Sequence, residues 1–266
     1  MQDLTLIPAT RMALPAEPFL VRHLIGGAWV GSAETFDRIS PAHGVLVSRS
    51  ALGSAAETEA AIAAARAAFD GGEWSRSSGK ARAGVLNRVA DLIEANAERM
   101  ALLECLETGK PIMQARGEVS GAADLWRYAA AQARTMHGDS HDSLGEDMLA
   151  VVLKEPIGVV SIITPWNFPF WILGQKLPFA LAAGCTCVVK PSEMTPSTTV
   201  MLGELLIEAG LPAGTVNIVL GFGQPVGALM ASHPDVDMVT FTGSTAVGKS
   251  IQAAASGTLK KVALEL

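Results

Sequence analysis

The spacing of hydrophobic and polar positions changes along this chain. Residues 1–50 carry short alternating pieces such as Leu24-Ile25 and Trp29-Val30, which predict strands and a hairpin. From Ala55 to Met136, apolar residues recur three, four or seven positions apart with charged residues between them. This spacing predicts a helical segment, for which Ser54 is a candidate N-cap.

The second half of the chain alternates apolar runs with helical segments, which is the rhythm of βαβ units. Near-continuous Val and Ile runs are typical of strands buried on both faces, as in parallel sheets. We therefore predict an α/β fold with an open, doubly wound parallel sheet, in which ligands bind beyond the carboxyl ends of the strands. The predicted strands are Gly158 to Ile163, Cys185 to Val189, Val216 to Leu220, Met238 to Thr242 and Leu259 to Leu266.

Residues 136–156 interrupt this pattern with a polar, glycine-containing loop and the apolar run Met148 to Leu153, which predicts a strand. His137 and His141 have the spacing of metal ligands only within a helix, and Gly138 favours a solvated loop there. We predict no metal site.

Length and composition limit the possible classes of protein. The chain has 266 residues, 49% apolar and 17% charged, which excludes a disordered chain. Its net charge of −6, without a basic cluster, argues against a nucleic-acid partner. Three cysteines without zinc or redox spacing, and an N-terminus without signal-peptide features, predict a cytoplasmic protein.

The uncharged run Pro156 to Gln175 is long enough to span a membrane, but its internal prolines favour a strand, a turn and a helix start.

Two glycine-rich segments follow predicted strands. Gly243 to Ser250 matches the P-loop pattern and by itself predicts a nucleotide triphosphatase, although its free amides would suit any phosphate. Only sixteen residues follow Ser250, which is too few for the rest of a P-loop fold. Gly221 to Gly227 nearly repeats the dinucleotide fingerprint, but its last glycine is one residue late.

Polar side chains follow two further strands. Asn167 lies between two prolines, where its amide could stabilise an oxyanion or simply hydrogen-bond a turn. Lys190 and Glu193 follow the next strand, and a carboxylate at this edge can accept from ribose hydroxyls. A surface ion pair is the structural alternative.

Taken together, these segments resemble the aldehyde dehydrogenase superfamily. The resemblance extends from about Leu24 to the last residue and rests on strings in family order. They are ETGKP (Glu107 to Pro111), PWNFP (Pro165 to Pro169), KPSE (Lys190 to Glu193), GFG with Gly227, FTGSTAVG (Phe241 to Gly248) and LEL (Leu264 to Leu266).

The resemblance implies that residues 1–266 form a Rossmann-like domain that binds NAD or NADP. Lys190 and Glu193 would hold the adenosine ribose and favour NAD, while Ser192 leaves NADP possible. The other implied cofactor contacts are Ile163, Trp166, Gly223, Gly227, Gly243, Ser244, Val247 and Gly248.

The resemblance also implies catalytic roles. Asn167 would donate to the oxyanion of a thiohemiacetal, Glu265 would be the general base, and Lys176 matches a lysine that is either a proton relay or an ordinary helix-start lysine. The family's nucleophilic cysteine would lie beyond Leu266. We therefore expect an N-terminal fragment of an enzyme that oxidises an aldehyde to a carboxylic acid through a cysteine thioester.

The same resemblance identifies residues 136–156 as an oligomerisation arm whose partner strands belong to the missing half, so that the complete enzyme would be a homo-oligomer. A stand-alone dinucleotide-binding or regulatory module is the alternative. Neither interpretation involves a membrane.

Overall fold

The computed structural model describes residues 17–266; residues 1–16, on which the signal-peptide expectation largely rests, lie outside them. The strands are β1 Phe19–Val21, β2 His23–Ile25, β3 Ala28–Val30, β4 Thr35–Ile39, β5 Leu46–Ala51, β6 Ser140–His141, β7 Ala150–Val151, β8 Val159–Ile163, β9 Thr186–Lys190, β10 Val216–Ile218, β11 Met238–Thr242 and β12 Lys261–Glu265. The α-helices are α1 Ala55–Gly71, α2 Gly79–Ala95, α3 Ala97–Thr108, α4 Ile112–Thr135, α5 Pro169–Gly174, α6 Leu177–Ala183, α7 Ser197–Glu208, α8 Ala228–Ser232 and α9 Thr245–Ala255.

A seven-stranded sheet in the order β12-β11-β8-β9-β10-β2-β3 forms the centre of the molecule. The five strands predicted in the second half of the chain are present within two residues at each end, and all run parallel. In the parallel part of this sheet the first strand along the chain is β8. The chain then adds β9 and β10 on one side of β8, and afterwards β11 and β12 on the other side. The strand order therefore reverses between β8 and β11, which is where a doubly wound sheet opens a crevice.

Alternating side chains of the strands contribute to a separate core on each face of the sheet. Val159 and Ile163 of β8 pack into one cluster with α1 and α9. Val160 and Ile162 of the same strand belong to the other cluster, with α2, α4, α6 and α7. Burial on both faces explains why these strands read as continuous apolar runs, and it confirms the doubly wound prediction.

The N-terminal hairpin, formed by β2 and β3, extends this sheet at the β10 edge. β2 pairs antiparallel with β10, so the sheet is mixed rather than wholly parallel, which the sequence did not predict. The Leu220 amide donates to Nδ1 of the buried His23 at 3.0 Å, so β10 ends at Ile218 and not at Leu220 as predicted. Burial lowers the pKa of His23, which favours the neutral imidazole that can accept this bond.

The predicted helical segment forms α1 to α4. Ser54 caps α1 with a reciprocal capping box to Glu57, as predicted from its position. Helix α3 ends at Thr108 with Gly109 in the left-handed conformation. Helices α2 to α4 pack over one face of the sheet, where α4 contacts both α5 and α6, and α1 packs on the other face.

Buried Glu107 joins α3 to a second, three-stranded sheet of order β1-β5-β4. Its carboxyl group accepts from the Ser48 hydroxyl of β5 at 2.9 Å, and from the hydroxyl and amide of Ser197 at the start of α7. Burial is the largest influence on this group and raises the pKa of Glu107 to about 7.

Residues 136–156 form an exposed arm. Its strand is Ala150–Val151 and not Met148 to Leu153, because only these two residues pair with β6. Within the described residues this strand pairs with β6 of the same arm, and the expectation that further partner strands belong to the missing half stays a prediction. Leu149 and Leu153 are highly exposed on this arm. Within residues 17–266, no helix has the length and apolarity needed to cross a bilayer, and the apolar run from Pro156 supplies β8 and α5.

Candidate functional site

A cleft of about 580 Å³ lies at the switch point between β8 and β11. Its walls come from the segment after β8, the turn after β11 and the end of β12. Because parallel strands place their carboxyl ends at one edge, these segments meet although they are far apart in sequence. The cleft contains five of the predicted site residues, namely Trp166, Asn167, Gly243, Ser244 and Glu265.

Helix α9 directs its N-terminus into this region. Ser244 is the N-cap, in an extended conformation, and its hydroxyl accepts from the Val247 amide at 3.4 Å. Thr245 and Ala246 occupy the first turn, where backbone N–H groups have no acceptor within the helix. Both residues are exposed. These amides and the positive end of the helix dipole form a site suited to an anion.

The same geometry disagrees with a P-loop. A P-loop wraps its backbone amides around phosphates before the helix begins, whereas here the helix already starts at Thr245. The amide of Gly248 donates to the Ser244 carbonyl at 3.0 Å, and the hydroxyl of Ser250 donates to the Ala246 carbonyl at 3.2 Å. The nucleotide-triphosphatase interpretation therefore lacks the loop that it requires.

Lys190 and Glu193 lie after β9, at the same edge of the sheet. The Lys190 ammonium is buried and donates to the carbonyls of Pro191 and Gly221, each at 2.8 Å, with a Glu193 oxygen at 3.8 Å. Burial lowers the pKa of Lys190 to about 8. The Glu193 side chain is partly exposed, and the nearby Ser192 hydroxyl accepts from the Met194 amide. Lys190 thus fixes the glycine turn that follows β10, and Glu193 remains open to a ligand.

That turn spans Gly223–Gly227 ahead of α8, and its backbone is kinked at Gln224, which has an extended conformation (φ −110°, ψ 133°). Open space surrounds Gly223, because a methyl group built there would meet no atom within 4 Å. At Gly227 the corresponding methyl would lie 3.7 Å from Lys190 and 4.0 Å from Ile163. Ile163, Lys190 and Gly227 therefore pack closely together, and all three are buried.

The segment between β8 and α5 presents the aromatic and amide groups. Trp166 is 50% exposed and Asn167 is also exposed, because Pro169 begins α5 and leaves the preceding residues outside regular structure. The carbonyl of Asn167 accepts from Lys110 at 2.9 Å. The side-chain amide of Asn167 is thus free to face a ligand while its backbone is held.

Glu265 ends β12 and faces Lys176. Its side chain is 65% exposed, and one oxygen lies 4.0 Å from the Lys176 ammonium and 3.4 Å from the Thr242 hydroxyl. Lys176 precedes α6, as predicted, and donates to the Thr240 hydroxyl at 3.1 Å. Burial lowers the pKa of Lys176. The structure brings the two residues together, as a proton relay would require, and the hydrogen bond to Thr240 equally fits a structural role for the lysine.

Two predicted cofactor contacts lie on α9 itself. Val247 is exposed beside the helix N-terminus, as an adenine contact would require. Gly248 is buried, and a methyl group built there would lie 2.4 Å from Leu266. Close packing of α9 against the terminal residues explains this glycine, and its cofactor role stays a prediction.

Sequence reasoning missed a buried cluster beneath the Asn167 segment. Lys110 binds the carboxylates of Glu104 and Glu118 and stands 4.9 Å from the centroid of the Phe168 ring. The ETGKP string contains Lys110, so the signal was present, but only the fold shows which groups it meets. Trp171, which lines the cleft, was also missed because it lies in an ordinary apolar helix.

The cysteines and histidines are placed away from the cleft. Cys105, Cys185 and Cys187 are unpaired and buried, and burial raises the pKa of each thiol, which disfavours a nucleophilic thiolate. His137 and His141 are exposed on the arm. Across residues 17–266, no group of three or more potential metal ligands comes together.

Comparison with known proteins gives a consistent result. The profile of the aldehyde dehydrogenase family matches residues 29–266. Aldehyde dehydrogenase family 2 member C4 of Arabidopsis thaliana is 44% identical over 97% of this chain and 52% of its own length. Betaine aldehyde dehydrogenase of Bacillus subtilis is 41% identical over 91% of this chain and 50% of its own length. The chain spans about half the length of the curated relatives it matches.

Solved structures agree with the sequence comparison. The crystal structure of an NAD-dependent aldehyde dehydrogenase from Sinorhizobium meliloti superposes with a TM-score of 0.92 at 50% identity, over 94% of this chain and 50% of that one. A betaine aldehyde dehydrogenase from Staphylococcus aureus, solved in complex with NAD⁺, gives a TM-score of 0.90 at 40% identity, over 92% and 50% of the two chains. The family profile, the relatives and the architecture agree, and the chain belongs to the aldehyde dehydrogenase family.

Proposed function

We propose that this chain is the NAD(P)-binding domain of an aldehyde dehydrogenase and that the complete protein oxidises a small aldehyde to a carboxylic acid. The observation that carries the proposal is the convergence of Asn167, Glu265 and the α9 N-terminus in the cleft at the switch point. Doubly wound sheets bind dinucleotides at this place. The betaine aldehyde dehydrogenase from Staphylococcus aureus supports the cofactor part of the proposal, because its structure was solved in complex with NAD⁺.

The residues present fit a dinucleotide. The free amides at Thr245 and Ala246 suit a pyrophosphate, and the open space at Gly223 allows close approach of a ligand. The Glu193 carboxylate can accept from ribose hydroxyls and would repel a 2′-phosphate, which favours NAD over NADP. The adjacent Ser192 keeps NADP possible. The bound cofactor would supply a hydride acceptor.

The residues around the cleft fit the chemistry of aldehyde oxidation. The side-chain amide of Asn167 would donate to the oxyanion of a thiohemiacetal. Glu265 would take a proton from the nucleophile or from water, with Lys176 close enough to stabilise its charge. The nucleophilic thiol would come from a part of the complete protein other than the three buried cysteines.

The arm supports a proposal about assembly and location. Its exposed apolar side chains, including Leu149 and Leu153, would be covered in a homo-oligomer of the complete protein. Three unpaired cysteines fit a reducing, cytoplasmic environment. The proposal names an aldehyde as the substrate class, because a succinate-semialdehyde dehydrogenase and a betaine aldehyde dehydrogenase match this chain at 44% and 41% identity.

Calorimetry with NAD⁺ and NADP⁺ tests the cofactor proposal on this chain. We expect Glu193→Gln to weaken NAD⁺ binding about 10–150-fold, the effect of one charge-assisted hydrogen bond of about 1.5–3 kcal/mol, and to leave NADP⁺ binding unchanged or improved. Binding of neither dinucleotide at millimolar concentration by folded protein would refute the proposal. Mg-ATP binding that Lys249→Ala abolishes would instead support a P-loop function, and co-purification with a longer homologous chain would favour a stand-alone module.

A further inference from the structure

Lys110 lies in the only ETGKP string of the chain, between α3 and α4, and its ammonium is almost fully buried. It donates to Glu104 Oε1 of α3 at 3.0 Å, to Glu118 Oε2 of α4 and to the carbonyl of Asn167 at 2.9 Å. An ammonium group has three hydrogens to donate. All three hydrogens of Lys110 are therefore used, and they join α3, α4 and the segment before α5 to one nitrogen atom.

The third bond reaches the segment that carries the amide of the cleft. The Asn167 carbonyl precedes α5 and has no place in its helical hydrogen bonding, so Lys110 is its donor. The next residue, Phe168, presents its ring to the same ammonium at 4.9 Å, a distance typical of a cation–π contact. Lys110 thus contacts the carbonyl of the Asn167–Phe168 peptide and the side chain that follows it.

Helix α4 supports α5 by a second, independent contact. Gly121 lies one turn after Glu118, and a methyl group built on it would meet the Trp171 ring at 2.0 Å. One turn of α4 therefore touches both the Asn167 segment, through Glu118 and Lys110, and the helix that follows it. Helix α5 can lie this close to α4 only because Gly121 has no side chain.

Each of the two carboxyl groups of the cluster contacts Lys110 through one oxygen only. Glu104 Oε2 and Glu118 Oε1 are buried and find no donor among the described residues. Burial, followed by the contact with Glu118, raises the pKa of Glu104 to about 8. The neutral form of Glu104 reduces the charge buried beside the Lys110 cation, which a buried site favours.

We propose that Lys110 is a positioning residue that fixes the Asn167 segment, and through it the Asn167 amide, in the geometry needed for aldehyde oxidation. This inference rests on the proposed function. An ammonium satisfies the geometry because its three donors diverge from one atom, whereas the planar guanidinium of arginine directs its donors differently. Lys110 touches neither substrate nor cofactor in this arrangement, and its effect passes through Asn167.

A double-mutant cycle between Lys110→Met and Asn167→Ala in the full-length protein that carries this sequence tests the proposal. Asn167→Ala should lower kcat about 10²–10³-fold, as loss of an oxyanion donor does. Lys110→Met should lower kcat about 10–10²-fold, the effect of a misplaced group, without changing the KM for NAD⁺. If Lys110 acts through Asn167, the double variant should be no slower than Asn167→Ala alone. The melting temperature should still fall on removal of Lys110.

Two comparisons make the outcome decisive. Lys80→Met, at an exposed lysine of α2, should leave kcat unchanged in both backgrounds. Lys110→Arg keeps the charge, so it serves in the same cycle if the methionine variant does not fold, and should lower kcat at least fivefold. Multiplicative effects on kcat, or wild-type kcat in Lys110→Arg, would overturn the inference. Absence of aldehyde oxidation in the wild-type protein would refute the proposed function instead.

Discussion

Two glycines on α4 should respond in opposite directions to the same substitution. Gly117 and Gly121 lie one turn apart in Ile112–Thr135. A methyl group at Gly117 would meet no atom within 4 Å, whereas at Gly121 it would lie 2.0 Å from Trp171 Cζ3. Alanine in place of glycine stabilises a helix interior by about 1 kcal/mol, because glycine loses more backbone entropy on folding. Gly117→Ala should therefore raise the free energy of unfolding by about 1 kcal/mol.

At Gly121 the same gain is opposed by steric overlap. Carbon atoms in contact are about 3.5–4.0 Å apart, so the Trp171 ring would have to move by roughly 1.5–2 Å. Overpacking of this kind lowers the free energy of unfolding by about 1–3 kcal/mol. The two variants should therefore differ by about 1–3 kcal/mol, with Gly121→Ala the less stable. Because Trp171 lines the cleft, its displacement should also change the shape of the site.

Urea denaturation followed by far-UV circular dichroism measures the difference between the two variants. Near-UV circular dichroism reports the environment of the tryptophans, and it should change in Gly121→Ala but not in Gly117→Ala. Equal stabilisation by both substitutions, with unchanged near-UV spectra, would refute the packing argument and with it the role of Gly121 in seating α5.

Two further predictions follow from buried charges. Lys190→Met leaves the carbonyls of Pro191 and Gly221 without their donor, which should lower the free energy of unfolding by about 1–3 kcal/mol for each carbonyl. NAD⁺ binding should also become weaker, and calorimetry that finds wild-type affinity would contradict this. The pKa of Glu107 is raised to about 7 from an ordinary value near 4.5. Between these pH values Glu107 is protonated in the folded protein and ionised in the unfolded chain. Its contribution to stability should therefore be present below pH 4.5 and decline by about 3 kcal/mol up to pH 7, at about 1.4 kcal/mol per pKa unit. The urea denaturation difference between wild type and Glu107→Gln, measured at both pH values, should vary accordingly; a constant difference would contradict it.

The sequence by itself determined most of the second half of the fold. Strands buried on both faces must be apolar throughout, so β8 to β11 were readable as runs, and the glycine and proline positions marked where they end. The resemblance added residue roles to matching strings. The hairpin near Leu24 was also readable, because two alternating pieces flank a pair of glycines.

Only the tertiary structure decided which of these elements meet. Pairing of β2 with β10 depends on contacts between residues about 190 positions apart, which no local pattern encodes. The P-loop match was ambiguous in sequence because its residues are compatible with a loop or a helix, and the packing of α9 selected the helix. The sequence marks Lys110 only as one residue of the ETGKP string. Its role depends on Glu104, Glu118 and Asn167, which converge on one nitrogen only when α3, α4 and the segment after β8 pack together.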